Sequence, residues 1–140
     1  MRTQTEMRAA ETFDGKYLSV TSYRRDGRGV STPVWFVREG QRLLIETDAD
    51  SFKVKRMRRE PRVAIARCTA RGKIRELPTP AEAELLPDDQ VARVERLMAH
   101  KYRVEVLIFR PLRAIQRALH IGRYRGTPVI VAVTPTGDIV

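Results

Sequence analysis

Apolar and polar positions along the chain alternate in short runs broken by turn residues, the pattern of strands in an antiparallel sheet. Residues 1–14 form a short leading helix or an arm. Lys16 to Tyr23 reads as a strand, with Tyr17, Leu18 and Val20 set among Ser and Thr. Arg24-Arg25-Asp26-Gly27-Arg28-Gly29 follows as a turn, because Asp-Gly supplies the positive φ angles of a tight hairpin. Val30 to Val37 is a second strand. Pro33 within it lacks a ladder donor, which predicts an edge, a bulge or a stretch whose hydrogen bonds serve something else. Arg38-Glu39-Gly40-Gln41 turns into a third strand, Arg42 to Thr47, and the three form a meander.

The period then changes. Asp50 or Ser51 caps a helix running to about Glu60, which Pro61 ends. Arg62 to Cys68 is a strand, and Lys73 to Leu86 a longer irregular one interrupted by Pro78 and Pro80. Pro87-Asp88-Asp89 opens a helix with proline and acids at its positive end, apolar at Val91, Val94, Leu97 and Met98. A second amphipathic segment, Val104 to Leu119, carries Leu107, Ile108, Leu112, Ile115 and Leu119 as one stripe, and Pro111 kinks or divides it. After a loop over Gly122 to Gly126, Thr127 to Thr134 is the last strand. Six strands and two to four helices predict one domain over residues 1–140. Its class is mainly β with helices (α+β), a closed or half-closed antiparallel barrel rather than a βαβ sheet.

Charge changes this picture. Of 140 residues, 27 are basic and 17 acidic, a formal net charge of +10. Such an excess either repels itself in solution or meets an anion: nucleic acid, an anionic membrane surface or a polyanionic small molecule. A single cysteine, Cys68, excludes an intramolecular disulfide. With His100 and His120 the only histidines, no dedicated metal site is expected. The N-terminus lacks the apolar stretch of a signal peptide, and no run approaches a membrane span, so the expected address is the cytoplasm. No phosphate-loop, dinucleotide or hydrolase motif is present.

The densest charge lies at Lys53, Lys55, Arg56, Arg58, Arg59 and Arg62. On a helix, Lys55, Arg58, Arg59 and Arg62 share one face, with Lys53 and Arg56 on an adjoining stripe. Ser51 and Lys53 fall at the helix start, where backbone N–H groups and the dipole favour an anion. Charge alone favours a solvated basic helix over an anion site.

Three stretches together resemble the pyridoxamine 5'-phosphate oxidase-like split β-barrels that bind flavin or deazaflavin, and specifically their coenzyme F420-dependent actinobacterial branch. These are Tyr17-Leu18-Ser19-Val20-Thr21 with the Arg24-Arg25-Asp26-Gly27 turn, Ser31-Thr32-Pro33-Val34-Trp35-Phe36, and the run from Thr47 through Ser51, Lys53 and Arg56 to Val63. The resemblance covers about residues 15–102 and implies a six-stranded split barrel of the FMN-binding type. It also implies that the strand holding Ser31, Thr32, Pro33, Val34 and Trp35 lies against the cofactor ring. Thr47, Ser51, Lys53, Lys55 and Arg56 would then hold its phosphate, Lys53 above all. Sites of this family usually sit at a homodimer interface.

The expected function is therefore an F420-dependent oxidoreductase passing hydride from the reduced coenzyme to an unsaturated organic acceptor. The chemistry belongs to the cofactor, which accounts for the lack of a catalytic triad, and a product proton comes from solvent or Tyr102. The same fold holding FMN as a reductase or oxidase, and a non-enzymatic flavin or deazaflavin carrier, are the alternatives. A nucleic-acid module has only the net charge in its favour, since no basic-aromatic interleaving is visible. Trp35 stacks on a ring or packs in a core, and Cys68 reads as a small core residue.

Overall fold

A computed structural model describes residues 13–105, 107 and 127–136. The leading helix or arm, apart from residues 13 and 14, lies outside the described residues. So do His120, the loop over Gly122 to Gly126 and nearly all of the second amphipathic segment. Seven strands form one antiparallel sheet: β1 (Leu18–Tyr23), β2 (Gly29–Val34), β3 (Val37–Glu39), β4 (Arg42–Asp48), β5 (Arg62–Arg67), β6 (Thr79–Leu85) and β7 (Pro128–Pro135). Helix α1 (Phe52–Arg59) links β4 to β5, and a 3-10 turn at Asp88–Gln90 leads into α2 (Val91–Lys101). The order across the sheet is β2-β1-β5-β6-β7-β4-β3.

This is the expected antiparallel fold with one correction. The run Val30 to Val37 is two strands, not one, which raises the count from six to seven. The chain leaves the ladder at Trp35-Phe36, so β2 pairs with β1 while β3 pairs with β4 at the opposite end. The expected three-strand meander is therefore absent. A buried side chain far along the chain accounts for the break. Tyr102 Oη accepts the Phe36 N–H at 3.0 Å and directs its own proton at Lys16 O, 2.8 Å away, or Phe36 O, 3.0 Å away. Lys101 Nζ donates to the same Phe36 carbonyl at 2.7 Å. The groups that leave the ladder thus stay hydrogen-bonded, as buried backbone must. The Lys73 to Leu86 strand is also shorter than expected. It keeps an isolated bridge between Ile74 and Cys68 before β6 begins at Thr79.

Two cores lie on opposite faces. The first gathers Leu18 and Val20 of β1, Leu43 and Ile45 of β4, Val63 and Ile65 of β5, Val131 and Val133 of β7, and Val54 and Met57 of α1. It is the inside of the curled sheet, and α1 spans it from β4 to β5. The second sits between α2 and the other face, with Val94, Met98 and Tyr102 against Val37, Leu44, Ile130 and Ala132. The α2 positions read from helical spacing divide as amphipathicity requires: Val94 and Met98 are buried, and Leu97 is at the margin.

Tyr102 has no exposed surface and stacks on Trp35, ring centroids 4.3 Å apart and planes 4° from parallel. Burial pushes its hydroxyl up to about 12 and brings the Lys101 ammonium down to about 8. A phenol bonded on both sides acts as a structural pin between Lys16 and Phe36.

Replacing Tyr102 by Phe removes the hydroxyl and leaves the Phe36 N–H unsatisfied. We expect a loss of about 1–3 kcal/mol of stability in urea-induced unfolding, with the m-value unchanged. A variant as stable as wild type would show that the hydroxyl does not hold the break.

Candidate functional site

Helix α1 begins where the sequence places it. Ser51 is its N-cap, and its Oγ accepts the Val54 N–H at 3.2 Å. At the other end the Glu60 N–H bonds the Arg56 carbonyl just before Pro61. The first turn contains no acid and two lysines, Lys53 and Lys55. Cations there oppose the helix dipole. An anion bound there would relieve that opposition.

Spacing on the helix sorts the charges. Val54 and Met57 face the first core. Phe52, Lys55, Arg56 and Arg59, at i, i+3, i+4 and i+7, line a cleft of about 530 Å³ together with Arg24 and Arg25 from the β1–β2 turn. Lys53 falls between this face and the buried one. The sequence-derived face of Lys55, Arg58, Arg59 and Arg62 is thus regrouped. Arg62 bonds Glu60 instead, at 3.0 Å.

The cleft is held open by bonds to β1. Arg56 Nε donates to Ser22 Oγ at 2.7 Å, and Ser22 has no exposed surface. Arg59 donates to the Tyr23 carbonyl. Burial and the neighbouring Arg24 and Arg59 guanidiniums all work against the charge on Arg56. The one acid in the turn, Asp26, is taken by Arg28 at 2.9 Å. No acidic side chain lines the cleft. Lys53 is half-buried without a described partner, and desolvation first, then Arg56, pulls its ammonium below the usual lysine range.

The strand expected to face a ring runs beside this cluster. In β2, Thr32 pairs with Val20 and Val34 with Leu18, placing both on the first-core face. Ser22, the anchor of Arg56, pairs with Val30 on that same face. Thr32 Oγ1 is buried with no hydrogen-bond partner among the described residues, an unusual state for a hydroxyl. Ser31 and Pro33 point the other way, Ser31 Oγ lying 2.6 Å from Thr21 Oγ1. Pro33 has its explanation in that β2 is the end strand of the sheet.

The structure therefore brings Thr32 and Val34 to the β1–β2 face that Arg56 anchors, and puts Lys55 and Arg56 in one cleft. Trp35 belongs to the second core, stacked on Tyr102. Thr47 lies on β4 opposite Val129, on the face of Leu43 and Ile45. Sequence reasoning missed Arg24, Arg25 and Phe52 as cleft residues. The two arginines stood out only as part of a turn, and Phe52, 76% exposed, only as part of the run. No helix among the described residues is long and apolar enough to cross a membrane.

Comparison with known proteins agrees with this architecture. The family model described as pyridoxamine 5'-phosphate oxidase matches residues 6–135. No curated protein matches the chain. Among solved structures, an F420 reductase is 19% identical over 87% of each chain, with a TM-score of 0.55. A conserved hypothetical protein from Mycobacterium tuberculosis is 17% identical, covering 98% of this chain and 82% of its own, at a TM-score of 0.61. A heme storage protein from Vibrio cholerae is 14% identical, covering 98% and 92%, at 0.60. At these identities the likeness is one of fold.

A half-buried cation without a partner costs stability until an anion arrives, so Lys53→Met should be more stable than wild type in phosphate-free buffer at neutral pH. Because the folded-state pKa is lowered, the unfolded chain binds more protons between that value and the ordinary 10.5. Wild-type stability therefore rises with pH through that window, and the advantage of the variant shrinks. Added inorganic phosphate should stabilise wild type more than the variant. Thermal melts across pH check this; a variant less stable than wild type without phosphate contradicts it.

Proposed function

The chain belongs to the pyridoxamine 5'-phosphate oxidase family, and from that premise we propose that it is an oxidoreductase using coenzyme F420. The observation that carries the proposal is the cation cluster on α1 and the β1–β2 turn, whose cleft has no acid in its lining and lies beside a strand with an orphaned buried hydroxyl. Those residues suit a phosphorylated tricyclic cofactor. Lys53, Lys55 and Arg56 take its phosphate, and Ser51 can still donate its hydroxyl proton while capping the helix. Thr32 supplies the unpaired hydroxyl and, with Val34, the side-chain face toward the ring, while Ser31, Pro33 and Trp35 would contribute backbone alone, their side chains being turned away or stacked on Tyr102. Thr47, before the helix, completes the set.

When bound, the reduced deazaflavin supplies the hydride that passes to an unsaturated organic acceptor. The chain's own part is to bind, orient and exclude water. Arg56, fixed on Ser22, and Arg59, fixed on the Tyr23 carbonyl, are positioned before a ligand arrives, which lowers the cost of ordering them on binding. Tyr102 is engaged in the fold, so a proton required by the product comes from solvent. A second subunit closing each site and a cytoplasmic address belong to the same proposal.

Charge separates the two cofactor candidates. Five cations line the cleft. FMN brings one phosphate, whereas F420 brings a phosphodiester, a lactyl carboxylate and a polyglutamate tail, and a positive groove attracts all three. FMN in the same site, or a carrier without turnover, is the second reading. The heme storage protein of the same fold gives the carrier version its support.

Titration of F420 and FMN into wild type and Lys53→Ala tests the proposal. F420 should bind with Kd below about 1 mM and lose roughly tenfold in Lys53→Ala, the worth of one charged phosphate contact. Unchanged affinity would remove Lys53 from the site, and a protein that purifies yellow with FMN and ignores F420 would overturn the cofactor assignment.

A further inference from the structure

The cleft contains a feature that anion binding does not use. Phe52 lies at the start of α1 with 76% of its surface exposed, an uncommon state for a phenyl ring, amid five cationic side chains. Lys55 Nζ lies 5.4 Å from the ring centroid, close enough for a cation–π contact. Arg24, Arg25 and Lys55 form no described ion-pair contact with an acid, although Asp26 and Glu60 lie near enough to feel Arg24 and Arg59, while Arg56 and Arg59 each spend one donor on β1 and keep the rest of the guanidinium. The volume of about 530 Å³ lies in the range of small-ligand sites. An aromatic face beside clustered cations is the arrangement that binds a base by stacking and its phosphates by charge.

We propose that this cleft is a nucleoside polyphosphate site, with the base on the Phe52 ring and the phosphates on Arg24, Arg25, Arg56 and Arg59. Charge complementarity favours this occupant. Five cations in a cleft with no acid in its lining match the roughly fourfold negative charge of a nucleoside triphosphate better than a monoanion or a neutral aryl group. The assignment names a second occupant for the cleft that the cofactor reading also uses, and what it adds is the Phe52 ring, which that reading leaves without a role. The cations are shared, so a bound nucleotide competes with an anionic cofactor for the cleft.

The test compares two probes of similar charge at one ionic strength, ATP and inorganic tripolyphosphate, by isothermal titration without divalent metal. Wild type should bind ATP about tenfold more tightly than tripolyphosphate, the range expected for one stacked base. Phe52→Ala should abolish that preference while leaving tripolyphosphate affinity unchanged, and Phe52→Trp should keep it. Arg24→Ala/Arg25→Ala should weaken both probes together. Phe52 is at the surface, so its replacement leaves the core intact. Equal affinities in wild type, or a preference for ATP that survives in Phe52→Ala, would overturn the proposal. So would a Phe52→Ala variant that dissociates an oligomer without altering the preference, which would assign the ring to a second copy of the chain. Lys53→Ala titrated with F420 reads the cofactor proposal separately, because neither Lys53 nor F420 enters this comparison.

Discussion

A guanidinium held on a buried serine organises this molecule's chemical face. The 2.7 Å bond from Arg56 to Ser22 fixes α1 over the β1–β2 end of the sheet. Through it the basic run of the helix meets the basic turn of the hairpin. Arg59 on the Tyr23 carbonyl repeats the tie one turn later. Both bonds place positive charge against positive charge, which folding alone does not reward. Val54 and Met57, packed in the first core, provide the apolar burial that offsets this repulsion.

A second constraint decides why that end of the sheet is open. Had Val30 to Val37 continued as one strand, β2 would lie between β1 and β4 and would not be the end strand of the sheet. The Tyr102 hydroxyl takes the Phe36 amide out of the ladder, and the chain crosses to the far end of the sheet as β3. Trp35, stacked on Tyr102, is drawn into the second core by the same event. Thr32 stays behind on the end strand with its hydroxyl unpaired. The break that satisfies one buried amide thus leaves one buried hydroxyl for another partner.

What was legible in the sequence follows from how local each cause is. Helix α1 could be read to within a residue because Ser51 and Pro61 act on their immediate neighbours. The Asp26-Gly27 turn was equally plain, and Gly27 has the positive φ of 88° that the turn requires. Pro33 correctly marked an edge. The break at Trp35-Phe36 could not be read, because its cause lies 66 residues away and Val34-Trp35-Phe36-Val37 is continuously apolar. For the site, Lys55 and Arg56 were visible as charge, whereas Arg24 and Arg25 joined them only through the pairing of β1 with β5 beside the helix. The resemblance to the split-barrel family supplied the order of the segments, and the helical wheel of α1 decided which cations share a cleft.

The central claim is that the face of α1 is built for an anion, with Lys53 desolvated and unpaired until one arrives. The most direct measurement is the pKa of Lys53 followed by NMR of isotopically labelled lysine, with and without inorganic phosphate. The account predicts a value below the ordinary 10.5 in the free protein that rises when phosphate binds. A Lys53 that titrates normally and does not respond to phosphate would contradict it.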